Sequence, residues 1–171
     1  MSENQSYYFR NDYNQLWSEQ RGNITNVEIG QEIMPTSTAY WFTSCYNLET
    51  AKLENLNTSE VTNMRGMFSD CRNLRSIDVS EFDTSKVTDM SWMFAGDKEV
   101  YKRMSIEHLD VSNFDTKNVT SMKQMFFACD DIKNLNVSGF DTSKVTDMSG
   151  MFELCVGLLM LDVSSFDTSK V

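Results

Sequence analysis

Among its 171 residues the chain has one proline, one histidine and seven glycines, and these shortages narrow the chemistry open to it. Ser–His, Cys–His and multi-histidine metal sites would all hang on His108 alone. No phosphate-binding loop or dinucleotide fingerprint can be found. No apolar run is long enough for a transmembrane helix. The four cysteines form no C-x-x-C pair, which argues against zinc. Basic charge is scarce as well: 15 Lys and Arg stand against 25 Asp and Glu, a net charge of −10. Nucleic acids and anionic membranes require the opposite sign. The opening "MSENQSYYFRNDYNQLW" does not show the basic segment and apolar stretch of a signal peptide. Catalysis is therefore not expected, and no cofactor or metal is called for.

What the chain does contain is one phrase written repeatedly. "FDTSKVTDMSWMF" at 82–94 returns as "FDTKNVTSMKQMF" at 114–126 and "FDTSKVTDMSGMF" at 140–152, and "FDTSKV" closes the chain at 166–171. The valines of the phrase, Val61, Val87, Val119, Val145 and Val171, are separated by 26, 32, 26 and 26 residues. A more worn copy places Trp41 and Phe42 26 residues before Met67 and Phe68. Residues 1–34 are expected to form an N-terminal cap and a first strand, "ITNVEI" at 24–29. The aromatics Tyr7, Tyr8, Phe9, Tyr13 and Trp17 would seal that strand. Residues 35–171 are expected to form the repeat array. Its last copy is incomplete and lacks a polar cap, so a longer array is expected, or an open end that pairs with a second copy through Leu158–Leu161.

Each unit has two halves. "LRSIDVSEF" carries apolar Leu74, Ile77, Val79 and Phe82, the L-x-x-L-x-L spacing of a leucine-rich repeat. The Ile77/Val79 alternation predicts a short strand with one buried face. The second half places Val87, Met90, Met93 and Phe94 in one stripe and predicts a short helix or 3₁₀ segment. "DTSK" between them is turn chemistry, with Asp83 accepting from the amides near Ser85 and Lys86. A single unit cannot bury its own stripe, but stacked units bury one another's. Methionine suits such contacts, because its flexible thioether fills gaps between unequal copies.

These residues resemble a known family. "NVTSMKQMFFACDDIKNLNVSGFDTSKVTDMSGMF" looks like the tandem units of the BspA-like leucine-rich-repeat surface proteins of bacteria, and "LWSEQRGNITNVEIGQEIMPTSTAYWF" is similar to the segment that opens such arrays. The resemblance implies an α/β repeat fold. It is a right-handed leucine-rich-repeat-like solenoid, with parallel strands on the concave face and short helical or 3₁₀ segments on the convex face. It also implies a secreted or cell-surface location and a role in adhesion.

Candidate binding residues follow from the outward columns of the strand half. These include Ser76, His108 and Asn134 in one column and Asp78, Asp110, Asn136 and Asp162 in the next. They form a polar, acidic face of the kind solenoids use for partners. The insertion that expands one unit to 32 residues adds Lys98, Tyr101 and Arg103, of which Tyr101 and Arg103 are types common at binding hot spots. The Asp83, Asp115, Asp141 and Asp167 ladder is expected to serve turns in preference to calcium. Cys45, Cys71, Cys129 and Cys155 are expected in one inward column as buried thiols, with oxidised Cys45–Cys71 and Cys129–Cys155 pairs as the alternative. The threonines Thr58, Thr84, Thr116 and Thr142 lie in turns, not on a flat face that would suit a crystal surface. The expected function is a non-catalytic module binding an extracellular protein or glycan; the alternative is a spacer that binds nothing.

Overall fold

In the computed structural model, residues 20–97, 99 and 103–171 are described, and the aromatic cap expected at Tyr7–Trp17 lies outside them. The first strand forms where it was expected. β1 (Asn26–Glu28) pairs in parallel with β2 (Thr50–Lys52), with Asn26 opposite Thr50. With a 3₁₀ turn at Arg21–Asn23, these are the regular elements among the described residues. Beyond β2 the units pair through single parallel bridges, Ser76 with His108 and Asn134 with Met160. A second series of bridges joins Ser37, Asn63, Asp89, Ser121 and Asp147 in order, one residue from each successive unit.

The Met/Phe half departs from the expected helix or 3₁₀ segment. Met67 N–H donates to Met64 O, Ser69 N–H to Gly66 O and Cys71 N–H to Phe68 O, at 3.1–3.3 Å, which is a succession of turns. The amides between them point out of the unit. Met64, Gly66, Phe68 and Asp70 donate to the carbonyls of Asp89, Ser91, Met93 and Ala95 at 2.7–2.9 Å. Met90, Trp92, Phe94 and Gly96 do the same toward Ser121, Lys123, Met125 and Phe127. A helix would use all these amides internally; the turns hand every second one to the next unit. The first and last of these turns place their third residue at positive φ, Gly66 (59°) and Asp70 (62°), whereas the middle one does not. Turns and helices both bring residues three apart to one face, so the apolar stripe survives although the backbone differs.

That stripe is buried as the spacing requires. Phe42, Phe68, Phe94, Phe126 and Phe152 form one column, with neighbouring ring centroids 5.3–5.9 Å apart. Met64, Met67, Met90, Met93, Met122 and Met125 are fully buried beside it, as are Val61, Val87, Val119 and Val145. The strand half contributes Leu74, Ile77, Val79 and Phe82 and their counterparts in later units, all buried through Phe140. The threonine column is interior. Thr58, Thr84, Thr116 and Thr142 each donate a hydroxyl to the Asp83, Asp115, Asp141 or Asp167 carbonyl of the next unit at 3.1 Å. Asp141 and Asp167 N–H return bonds of 2.7 Å to Thr116 and Thr142.

The insertion leaves and rejoins this stack at a pinch. A Cβ on Gly96 would meet Met104 N at 2.7 Å and Ala128 O at 3.0 Å, so only glycine fits without displacement there. In the last unit the packing thins out. Leu159 and Met160 are each 77% exposed, while Met148, Phe152, Leu158 and Leu161 are only partly buried. These are the side chains that a following unit or a second copy would cover.

Met122→Ala, at the fully buried centre of the stripe, is expected to lower stability by about 2–5 kcal/mol. Met148→Ala, at its thin end, should cost clearly less. Urea unfolding of the two variants measures both losses, and equal losses would contradict the burial gradient.

Candidate interaction surface

The outward columns of the strand half are positioned by alternation: Ile77 and Val79 turn inward, so Ser76 and Asp78 face out. Ser76, Asp78, His108, Asp110 and Asn134 come together as the lining of one open depression of about 760 Å³. Glu107, Asp131 and Lys133 complete its polar wall, with Ile77 and Leu109 on its floor. Asn136 and Asp162 are exposed farther along the same column but do not line the depression. Arg75 and Glu107 pair at its rim across the unit boundary. Both side chains are largely solvated, so the pair adds little to stability.

The acidic column is also a turn column, a role not expected of it from sequence. Asp78, Asp110 and Asp162 accept the amides of Ser80, Ser112 and Ser164 at 2.9–3.0 Å, and Asn136 accepts that of Ser138 at 3.2 Å. Each is an Asx turn fixed by the D/N-x-S spacing. The Ser80 amide and hydroxyl hold the Asp78 carboxyl below the usual carboxylate range. The hydroxyls and amides of Ser112 and Ser164 do the same for Asp110 and Asp162. The Asp83 ladder behaves as the sequence suggests, with Asp83, Asp115, Asp141 and Asp167 accepting amides two residues on at 2.9–3.2 Å.

Of the insertion's candidate residues, Arg103 alone is described. Lys98 and Tyr101 lie outside the described residues. Arg103 folds inward onto Asp130 at 2.7 Å, with only 14% of its side chain exposed. The thiols are free, with Cys45, Cys71 and Cys129 buried and Cys155 half-buried. Cys71, Cys129 and Cys155 each donate to a phenylalanine carbonyl of the preceding unit at 2.9–3.2 Å. Burial pushes the Cys45 thiol up to about 11, away from reactivity.

Sequence reasoning missed a cluster on the turn side. Arg65 donates Nε–H to the Tyr40 hydroxyl at 2.5 Å, pairs with Asp89 at 3.3 Å, and lies over the Trp92 ring at 3.9 Å. Trp92 in turn donates its indole N–H to Gln124. Tyr40, Trp92 and Gln124 share one repeat column with Gly66 and Gly150, and all five have φ between 51° and 64°. Glycine at two of the five positions was the available signal.

Stacked pairing of successive copies defines a tandem-repeat protein. Residues 36–105 and 97–171 match the family described as Mycoplasma protein of unknown function, DUF285, and the chain belongs to that family. No curated protein and no solved structure matches it.

The Asx carboxylates set an acid limit on stability. Their folded pKa values are depressed, so their contribution is present above the ordinary carboxylate value of about 4 and is lost as pH falls through the lower folded value. The triple variant Asp78→Asn, Asp110→Asn, Asp162→Asn keeps the turn acceptor, as Asn136 does, and removes the titration. Thermal melts from about pH 5 to about pH 2 should show a steeper loss in the parent than in the variant. Parallel slopes would mean that the ionised carboxylates do not support these turns.

Proposed function

We propose that this chain is a non-catalytic interaction module of a secreted or surface-attached protein. It binds an extracellular protein or glycan through the face formed by its outward strand columns. In this reading the units wind as a right-handed leucine-rich-repeat-like solenoid with that face concave, and the chain is one of the BspA-like surface proteins. The observation that carries the proposal is the convergence of Ser76, Asp78, His108, Asp110 and Asn134 on one open depression. Their columns come from several units, so the depression exists only in the assembled stack. The acidic surplus of its wall, Asp78, Glu107, Asp110 and Asp131 against Lys133, favours partners that present basic groups. The turn bonds of Asp78 and Asp110 support this role, because they hold two carboxylates in fixed places at little entropic cost on binding.

The test is a binding screen against extracellular-matrix proteins, mucins and host-type glycans. The parent would run beside the triple Asn variant and a variant with Asp78, Asp110, Asn136 and Asp162 changed to Lys. A ligand of the parent should bind the folded Asn variant at least about tenfold more weakly, a loss of about 1.4 kcal/mol, and the Lys variant weaker still. Full retention by both would remove the strand face from the site. If the parent binds nothing, the spacer reading takes its place.

A further inference from the structure

We propose that the turn edge carries a second, separate site, which takes a neutral glycan against Trp92. The site is a groove of about 440 Å³ lined by Ser44, Asp70, Trp92, Asp97, Gln124 and Phe127 among others, none of which lines the strand-face depression. Four of these, Ser44 (φ 59°), Asp70 (62°), Trp92 (57°) and Gln124 (51°), stand in the left-handed region as non-glycine residues. In the Trp92 column two other units carry glycine, Gly66 and Gly150, whereas the Ser44 and Asp70 column carries Ala128 and Leu154. Bulky side chains at such positions are strained, and strain of this kind gathers at functional sites.

The ring is held in place. Gln124 accepts its indole N–H, and the Arg65 guanidinium lies 3.9 Å above the ring. Two of the nearby charges are answered within the chain, Arg65 by Asp89 at 3.3 Å and Asp70 by Arg72 at 2.7 Å. In a protein of net charge −10, the groove holds one carboxylate, Asp97, beyond the Asp70–Arg72 pair. A fixed, half-buried indole with Phe127 nearby offers aromatic surface to the C–H groups of a sugar ring. The Ser44 hydroxyl and the Asp97 carboxylate offer polar partners for its hydroxyls. An anionic ligand would meet the Asp97 carboxylate and no cationic side chain among the described lining residues. An apolar side chain would meet a wall made mostly of polar groups.

The test titrates the protein with neutral tetrasaccharides of glucose, galactose, mannose and N-acetylglucosamine, with sialylated and sulfated tetrasaccharides as charged probes. Tryptophan emission and calorimetry report binding. At least one neutral probe should bind at or below the order of 10 mM. Trp92→Gly installs the residue that the preceding unit carries at this position, so the variant should melt no lower than the parent and bind at least about tenfold more weakly. Should it melt lower, Gln124→Gly, also native to this column, frees the indole and decides the matter by the same criterion. The triple Asn variant of the strand face should bind the saccharide like the parent, which separates this site from the first. Failure of every neutral probe, binding of charged probes alone, or undiminished binding by the glycine variants would overturn the proposal. So would a protein ligand that needs Trp92 while no saccharide binds.

Discussion

Every second amide of the Met/Phe segment donates to a carbonyl of the following unit, and the architecture depends on that export. Four such bonds join each unit to its neighbour at the places marked by Met64, Gly66, Phe68 and Asp70. They fix the separation and register that let phenyl rings 5.3–5.9 Å apart form a single column. The strand half, with pairing reduced to single bridges beyond β2, could not hold that register unaided. Hydrophobic burial supplies the driving force but has no direction; the alternating amides supply the direction. Their cost is backbone strain, because each unit places residues in the left-handed region.

The polar residues of the repeat serve the same end. The buried threonine hydroxyls bond the next unit's carbonyls, and Asx turns recur at Asp78, Asp83 and Asp89 and at their counterparts. Much of the acidic excess is therefore structural in origin. A carboxylate that accepts a nearby amide holds a tight turn without a bulky side chain. The negative surface is a by-product of making many turns with few glycines and one proline. Built this way, the chain holds its carboxylates in fixed positions at the surface.

Much of this was legible in the sequence. The 26-residue period, the inward columns from Leu74 to Phe94, the buried cysteines and the turn role of Asp83 follow from spacing and residue type. The backbone of the Met/Phe half did not follow. Apolar residues three apart suit a 3₁₀ segment and a chain of turns equally, and hydrophobic pattern alone cannot separate them. The sign of φ separates them, and it shows in the sequence only as Gly66 and Gly150. The column that looked most like a free binding surface, Asp78 and Asp110, is partly engaged by its own backbone. Serine two residues on was the signal. Arg103 was misplaced for another reason: its partner Asp130 belongs to the next unit, and such pairs have no periodic signature.

Departures from the repeat then carry more information than the repeat itself. A residue that recurs in every unit is explained by stacking, as the phenylalanines and threonines are. One that stands at a left-handed position where other units carry glycine adds local strain to the stack. Tyr40, Trp92 and Gln124 are such residues, and they lie in one column with Arg65 bonded to the first and stacked over the second. Aromatic and arginine residues are also the types that dominate binding energy where surfaces meet. The strand face presents charges set in place by turns, whereas the turn edge presents rings set in place by hydrogen bonds. The two faces differ in chemistry, and each is assembled from residues that only stacking brings together.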